Sequence, residues 1–211
     1  MIHINFASSG GKRYLCCIKS NIMDILGMLL DKYKVELSKS SIAELHSILI
    51  RKEYPKGMII VDQGHICTDL YIISKGILRQ FYYKNGRDIS EHFSCEGDIT
   101  FCIESLFMRK ETTLLMETIE PSVIYHLNYD KFQHLCDCHT DINKLYRHIF
   151  EYDLILSQRK ADSWRFESSH QRYERFCNEY PEAAKRASIA HIASYLLMSP
   201  ETLSRVRSGV L

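Results

Sequence analysis

The chain has 211 residues, of which 45% are hydrophobic and 25% are charged, and its formal net charge is +1. This length and composition exclude disorder throughout and allow one large domain or two small ones. The near-neutral charge gives no general electrostatic reason to bind nucleic acid or membranes, so any basic surface has to be local.

The first 22 residues are polar, contain the stretch SSGG and show no clear period. We interpret residues 1–22 as a flexible extension or as the product of an upstream start codon. Because the stretch has no continuous apolar core, it does not resemble a secretory signal. No run approaches the roughly 18 to 20 apolar residues of a membrane span. We therefore expect a cytoplasmic protein with reduced cysteines and no membrane partner.

Apolar residues at helical spacing follow, and they predict two short amphipathic helices between Met23 and Arg51. From Met58 to Leu127 the pattern changes to short β runs separated by turn residues. Asn85-Gly86 predicts a hairpin, because both residues tolerate positive φ. Strands at this spacing predict an antiparallel barrel or a rolled sheet.

After Tyr129 the helical period returns, with apolar residues at alternating steps of three and four. A helix packed on its own barrel is one explanation of this stripe. The strict 3.5-residue period along a narrow stripe favours a two-helix dimer seam instead. The predicted seam consists of Leu135, Cys138, Ile142, Leu145, Ile149, Tyr152 and Leu156.

The segment SWRFESSH interrupts this pattern and is typical of a hinge, and Pro181 breaks the next helix. SIAHIASYLLMSPETLSRVR then predicts a helix-turn-helix, with Ser199 as the N-cap and Pro200 in the first turn. A solvated helical hairpin is the alternative. Leu197 stands at the turn, where a glycine is expected, so it is either strained there or changes the angle between the helices.

The predicted second helix carries polar residues outside its apolar stripe. Arginine can donate to guanine, a carboxylate can accept from cytosine, and hydroxyls can reach phosphates. The candidate DNA-binding residues are Ser199, Glu201, Thr202, Ser204, Arg205 and Arg207.

The order of segments resembles the Crp/Fnr superfamily of transcription regulators over residues 23–211. VDQGHICTDLYIISKGILRQFYYKNGRDI is similar to the family's roll, with its turn glycines at Gly64 and Gly76. SPETLSRVR is similar to its recognition helix, whose base-contacting residues fall on Glu201 and Arg205.

This resemblance implies an α+β fold. An antiparallel, jelly-roll-like β-roll with flanking helices (23–134) precedes a long dimerisation helix (135–162). A C-terminal helix-turn-helix domain (163–211) follows, with a truncated or missing wing. The implied partners are a pseudo-palindromic DNA operator, a second copy of the chain and an unknown small-molecule effector. The resemblance also admits RNA polymerase as a partner.

Cyclic AMP-binding members carry Gly-Glu and Arg-Ser at positions that here hold Cys102-Ile103 and Thr112-Thr113. The arginine that would hold the phosphate is therefore missing, and we expect no cyclic AMP binding. A different effector would contact a pocket formed by Phe101, Glu104, Ser105, Thr112 and Thr113. Glu104 has an alternative role as a surface charge.

HLCDCHTD invites a metal interpretation, but no CxxC pair occurs among the eight cysteines. On a helix, positions 136 and 138 point about 200° apart. We therefore expect buried cysteines, with no metal or other cofactor. The sequence shows no nucleophile–base pair, phosphate-binding loop or metal-ligand set that is more than a chance match, so an enzyme is the weakest hypothesis. The rival to a DNA-binding regulator is a ligand-sensing or protein-interaction module that does not bind DNA specifically.

Overall fold

A computed structural model describes residues 22–209, which form a two-sheet β-roll flanked by helices. In chain order the elements are α1 (Ile22–Tyr33), α2 (Lys39–Ile48), β1 (Leu49–Tyr54), β2 (Ile59–Val61), β3 (Asp69–Lys75), β4 (Leu78–Lys84), β5 (Arg87–Ser94), β6 (Ile99–Thr100), α3 (Ile103–Met108), β7 (Leu115–Thr118), β8 (Ser122–Asn128), α4 (Tyr129–Cys138), α5 (Thr140–Phe166), α6 (Ser169–Glu179), α7 (Pro181–Arg186), α8 (Ile189–Tyr195) and α9 (Pro200–Arg207). The predicted extension lies outside the described residues, except that α1 already begins at Ile22. None of the described helices is both long and apolar enough to cross a bilayer.

The roll consists of two four-stranded antiparallel sheets, ordered β1-β8-β3-β6 and β2-β7-β4-β5. Asn85 and Gly86 join β4 to β5 with φ values of 53° and 72°. Positive φ at both turn residues gives the twist that a two-residue hairpin needs, so this part of the sequence prediction is confirmed.

Three elements do not follow the sequence prediction. Leu49 to Tyr54 form strand β1, whereas the apolar spacing predicts that the second helix extends as far as Arg51. The two-residue strand β6 and the short helix α3 were not predicted. Periodicity cannot reveal such elements, because each is shorter than the window over which a period can be counted.

The predicted single helix over residues 135–162 is two helices, separated at His139, whose backbone is extended. Asp141, in the first turn of α5, accepts hydrogen bonds from the Ser38 backbone nitrogen at 2.8 Å and from the Ser41 hydroxyl at 2.7 Å. These contacts fix the start of α5 against the N-cap of α2, so α5 begins in a new direction.

The predicted dimer seam is wrong for most of its residues. Leu135, Ile142, Leu145 and Ile149 are buried in the hydrophobic core that the roll shares with α1, α2 and α4. A residue enclosed by its own chain cannot also pack against a partner. The other three residues are accessible, and their place in a seam stays a prediction: Cys138 is exposed before the break, Leu156 is half-buried and Tyr152 packs edge-on against Tyr33.

The C-terminal helices have a hydrophobic cluster of their own, which a few residues of the roll join. Phe93 of β5 contacts the rings of Phe176 and Tyr195, with centroids 5.8 and 5.7 Å apart. Ile77 and Cys95 of the roll belong to the same buried cluster as Ala193 and Leu203. The predicted boundary at residue 163 lies within α5, and the division into domains stays a prediction.

Candidate nucleic-acid interface and effector region

Helices α8 and α9 form a pair joined by a tight turn. Ile192 and Ala193 of α8 pack in the same buried cluster as Leu203 of α9. Leu197 has a φ of 54°, in the left-handed region, and its side chain is 49% exposed. The backbone nitrogen of Met198 donates to the carbonyl of Ala193 at 3.0 Å, which closes the end of α8. The turn therefore keeps the glycine-type conformation with a leucine in it.

The start of α9 is fixed by its cap. The Ser199 hydroxyl accepts a hydrogen bond from the backbone nitrogen of Thr202 at 3.2 Å, and Pro200 occupies the first turn. A hydrogen bond from Ser199 to the Glu201 carboxylate lowers the pKa of that group. A negative charge at this end is favourable, because the first turn is the positive end of the helix dipole.

The candidate DNA-binding residues lie on the surface of α9. Leu203 and Val206 face the core, whereas Glu201, Ser204, Arg205 and Arg207 are exposed and Thr202 is half-buried. Neither Arg205 nor Arg207 forms an ion pair with another residue of the described chain. Exposed guanidinium groups on a helix can donate to phosphate oxygens or to guanine.

Side chains from neighbouring elements hold the helix pair in place. Arg172 of α6 donates to the carbonyl of Leu196 at 2.8 Å, which satisfies an otherwise unpaired group at the end of α8. Arg186 of α7 donates to Glu96 at 2.5 Å and to Glu120 at 2.6 Å, and both partners belong to turns of the roll. These contacts join α6 to the end of α8 and α7 to the roll.

A buried charged network lies in the sheet beneath α8. Arg79 is 1% exposed and donates to Asp88 through two nitrogens, at 2.5 and 2.7 Å, and to Glu117 at 2.7 Å. The paired carboxylates compensate the desolvated guanidinium. Burial lowers the pKa of His191 in α8, and the positive charge of Arg79 lowers it further. Sequence reasoning did not identify this network, because its members are distant in sequence and show no motif.

The residues of the predicted effector pocket do not converge. Glu104 and Thr113 are exposed, whereas Ser105 and Thr112 are buried. Ser105 donates to the carbonyl of Lys110 at 2.6 Å and accepts from the Cys67 nitrogen at 2.8 Å, which holds α3 to the loop after it. Of the five residues, only Phe101 lines a cavity at the junction of the roll with α5 and α6. The five residues do not share either of these two cavities, and the five-residue effector pocket stays a prediction.

The cavity that Phe101 lines has other walls. His92, Asp153, Leu156 and Tyr180 surround it, and the Tyr180 hydroxyl lies 3.3 Å from His92 Nδ1. Burial lowers the pKa of His92 to about 3, so the imidazole is neutral. No local signal could have grouped residues from β5, α5 and the end of α6.

The cysteines of HLCDCHTD are divided between two environments, with Cys136 buried in the core and Cys138 exposed. Within residues 22–209, no cluster of three or more histidine, cysteine, aspartate or glutamate side chains has the arrangement of a metal site.

One segment of the chain matches a domain family, and the fold of the chain is similar to that of several solved structures. Residues 51–139 match the cyclic nucleotide-binding domain family. FixK2 of Bradyrhizobium japonicum is 18% identical, with a TM-score of 0.67, and the match covers 77% of this chain and 84% of that one. The c-di-GMP-responsive regulator CLP of Xanthomonas campestris is 16% identical, with a TM-score of 0.64 and coverages of 82% and 91%.

A Crp/Fnr-family regulator structure from Eubacterium rectale is also 16% identical, with a TM-score of 0.61 and coverages of 82% and 83%. No protein of curated function matches the sequence. At these identities the likeness concerns the fold: a cyclic nucleotide-binding type of roll followed by helices, as in Crp/Fnr regulators.

Proposed function

We propose that the protein is a homodimeric, sequence-specific DNA-binding regulator whose roll responds to a small-molecule effector. The observation that carries the proposal is the uncovered polar face of α9, with Glu201, Ser204 and Arg205 directed away from the core. A capped helix with this face, supported by a second helix, suits the major groove. The shared fold with Crp/Fnr regulators supports the same function.

The proposed dimer face lies on the exposed side of α5, and not on the seam residues that are buried in the core. Leu154 is 69% exposed and Ile155 is 50% exposed, and the half-buried Phe150 lies one turn before Leu154. Phe150 contacts Phe107 of α3, with centroids 5.1 Å apart, and Phe107 is itself partly exposed. An apolar surface shared by two helices suits burial against its own copy in a two-fold dimer.

The effector is proposed to differ from cyclic AMP. The positions that correspond to the phosphate-binding Arg-Ser hold Thr112, which is buried and bonded to its own loop, and the exposed Thr113. Neither side chain can supply the positive charge that a buried phosphate needs. Calorimetry that gives a low-micromolar dissociation constant for cyclic AMP would overturn this part of the proposal.

Selection from random DNA duplexes tests the function. Enrichment of a pseudo-palindrome with half-sites about 34 Å apart is expected from a two-fold dimer. The Arg205→Ala protein should enrich a sequence that is relaxed at one base pair per half-site. Salt-sensitive binding without any enrichment would contradict the proposal and favour a ligand-sensing or protein-interaction module.

A further inference from the structure

Two adjoining cavities, of about 110 and 160 Å³, lie where the roll meets α1, α5 and α6. They share five wall residues, and we call the two together the hinge cavity: His92, Phe101, Asp153, Leu156 and Tyr180. Because strand β5, the helix α5 and the end of α6 all contribute to these walls, any occupant would contact both the roll and the C-terminal helices.

Most charged groups of the hinge cavity already have partners. Lys32 is paired with Asp98. Lys160 is paired with Glu91 at 2.7 Å. Glu179 accepts from Arg175 outside the cavity, also at 2.7 Å. These side chains therefore contribute little net charge to a ligand.

Asp153 is different, because its carboxyl group has no hydrogen bond and no ion pair with any other residue in the described part of the chain. Burial raises the pKa of Asp153. A desolvated carboxylate is costly until a cation or a set of donors reaches it. The one wall cation without a described partner, Arg159, is exposed, so its charge is screened by solvent. The neutral His92 supplies no positive charge.

The aromatic walls of the cavity already accept an ammonium group. The Lys32 ammonium lies 5.0 Å from the ring centroid of Tyr152 and 5.9 Å from that of Tyr33. The faces of aromatic rings attract such cations, and cages of this type bind quaternary ammonium ligands. Phe101 and Tyr180 line both cavities together with Asp153, and neither ring holds a cation from the described part of the chain.

We propose that the hinge cavity binds a small organic ammonium ion, with the Asp153 carboxylate as its counter-ion and the rings of Phe101 and Tyr180 as its aromatic walls. No residue of the predicted effector pocket except Phe101 takes part. That this ligand is the effector rests on the proposed function, since occupancy would fix α5 against Tyr180 and so bias the position of the helix pair.

Calorimetry of the full chain without DNA tests the site, with choline chloride as the probe and sodium chloride as the reference. Saturable binding of choline is expected. The neutral isostere, in which carbon replaces the quaternary nitrogen, should bind at least about tenfold more weakly. Asp153→Asn should weaken choline binding by about tenfold or more, whereas Asp162→Asn, on the same helix but outside the cavity, should not change it.

Phe101→Leu provides a second test, because it keeps apolar bulk but removes one ring face, and it should weaken binding several-fold. Equal binding of choline and its isostere, no saturable binding at millimolar choline, or full affinity in folded Asp153→Asn protein would overturn the proposal. Choline binding without any enriched DNA sequence would leave this site standing and contradict the regulator. An enriched palindrome without choline binding would support the regulator and contradict this site.

Discussion

The side chain of Ser194 in α8 completes the hydrogen bonding of Ser90 in β5. Its hydroxyl accepts from the Ser90 backbone nitrogen at 2.8 Å and donates to the carbonyl of Asp88 at 2.9 Å. Because β5 is an edge strand of its sheet, these backbone groups have no strand partner on that side. One serine therefore covers part of the sheet edge and fastens the helix pair to the roll.

Ser194→Ala should lower the free energy of unfolding by about 1 to 2 kcal/mol, because it leaves two backbone groups without their partner. Urea denaturation measures the change. Ser157→Ala in α5 is the matched control: Ser157 is exposed and takes part in none of the hydrogen bonds described within residues 22–209. Equal stability of the two variants would show that the Ser194 contact contributes nothing.

Leu197→Gly should leave stability unchanged or raise it by up to about 1 kcal/mol. Releasing a leucine from positive φ gains about 1 to 2 kcal/mol, and the greater freedom of glycine in the unfolded chain offsets part of this gain. The neighbouring Leu196 has a φ of −81° and is buried, so Leu196→Gly should destabilise by several kcal/mol. Thermal unfolding compares the two. A large loss of stability in Leu197→Gly would mean that packing, not backbone strain, dominates at the turn.

Arg205→Ala should reduce discrimination at one base pair per half-site by about 1 to 3 kcal/mol. Competition gel shifts with single-base variants of the selected operator measure this change at fixed salt. Arg147→Ala removes an exposed arginine that is paired with Glu151, far along the chain from α9, and should leave the preference intact. If base discrimination is unchanged in the Arg205→Ala protein, the Arg205 side chain does not contact the bases.

Acidification should destabilise the fold through His92. Burial holds its folded pKa near 3, against an ordinary value of 6.5. The unfolded chain therefore takes up a proton below about pH 6.5, whereas the folded chain does not until near pH 3, and stability falls as the pH drops through this window. When the pH falls from 7 to 5.5, the free energy of unfolding of the His92→Gln protein should decrease by about 1 kcal/mol less than that of the unmodified protein. The exposed His46→Gln should follow the unmodified protein, and identical slopes for all three would contradict the role of His92.

Leu154→Glu should separate the proposed dimer. Two copies of an exposed leucine would leave the interface, each worth about 1.5 to 3 kcal/mol, so dimerisation should weaken by about 3 kcal/mol or more. Sedimentation velocity measures the dissociation. Gln63→Glu adds one carboxylate on an exposed loop of the roll and should leave the dimer intact. A Leu154→Glu protein that stays dimeric would place the interface elsewhere.

Local chemistry was sufficient to predict several elements from the sequence. Asn85-Gly86 indicated its hairpin because only a few residue types tolerate positive φ at both positions. Ser199 and Pro200 indicated the start of α9, since cap and first-turn preferences act within one turn of a helix. The sequence predicted a turn at Leu197 but not its backbone conformation, because the residue type alone does not show whether a leucine is held at positive φ.

Other features were decided only by the tertiary structure. The 3.5-residue stripe from Leu135 to Leu156 specifies an apolar face, yet a period carries no information about which surface will cover that face. The roll and α1 cover most of it, which leaves Leu154 and Ile155 exposed. Likewise, Asp153 gains its unpaired, desolvated position only because β5, α5 and α6 meet around it. Sequence determines local conformation through short-range forces, whereas burial and charge at a site depend on which distant segments pack together.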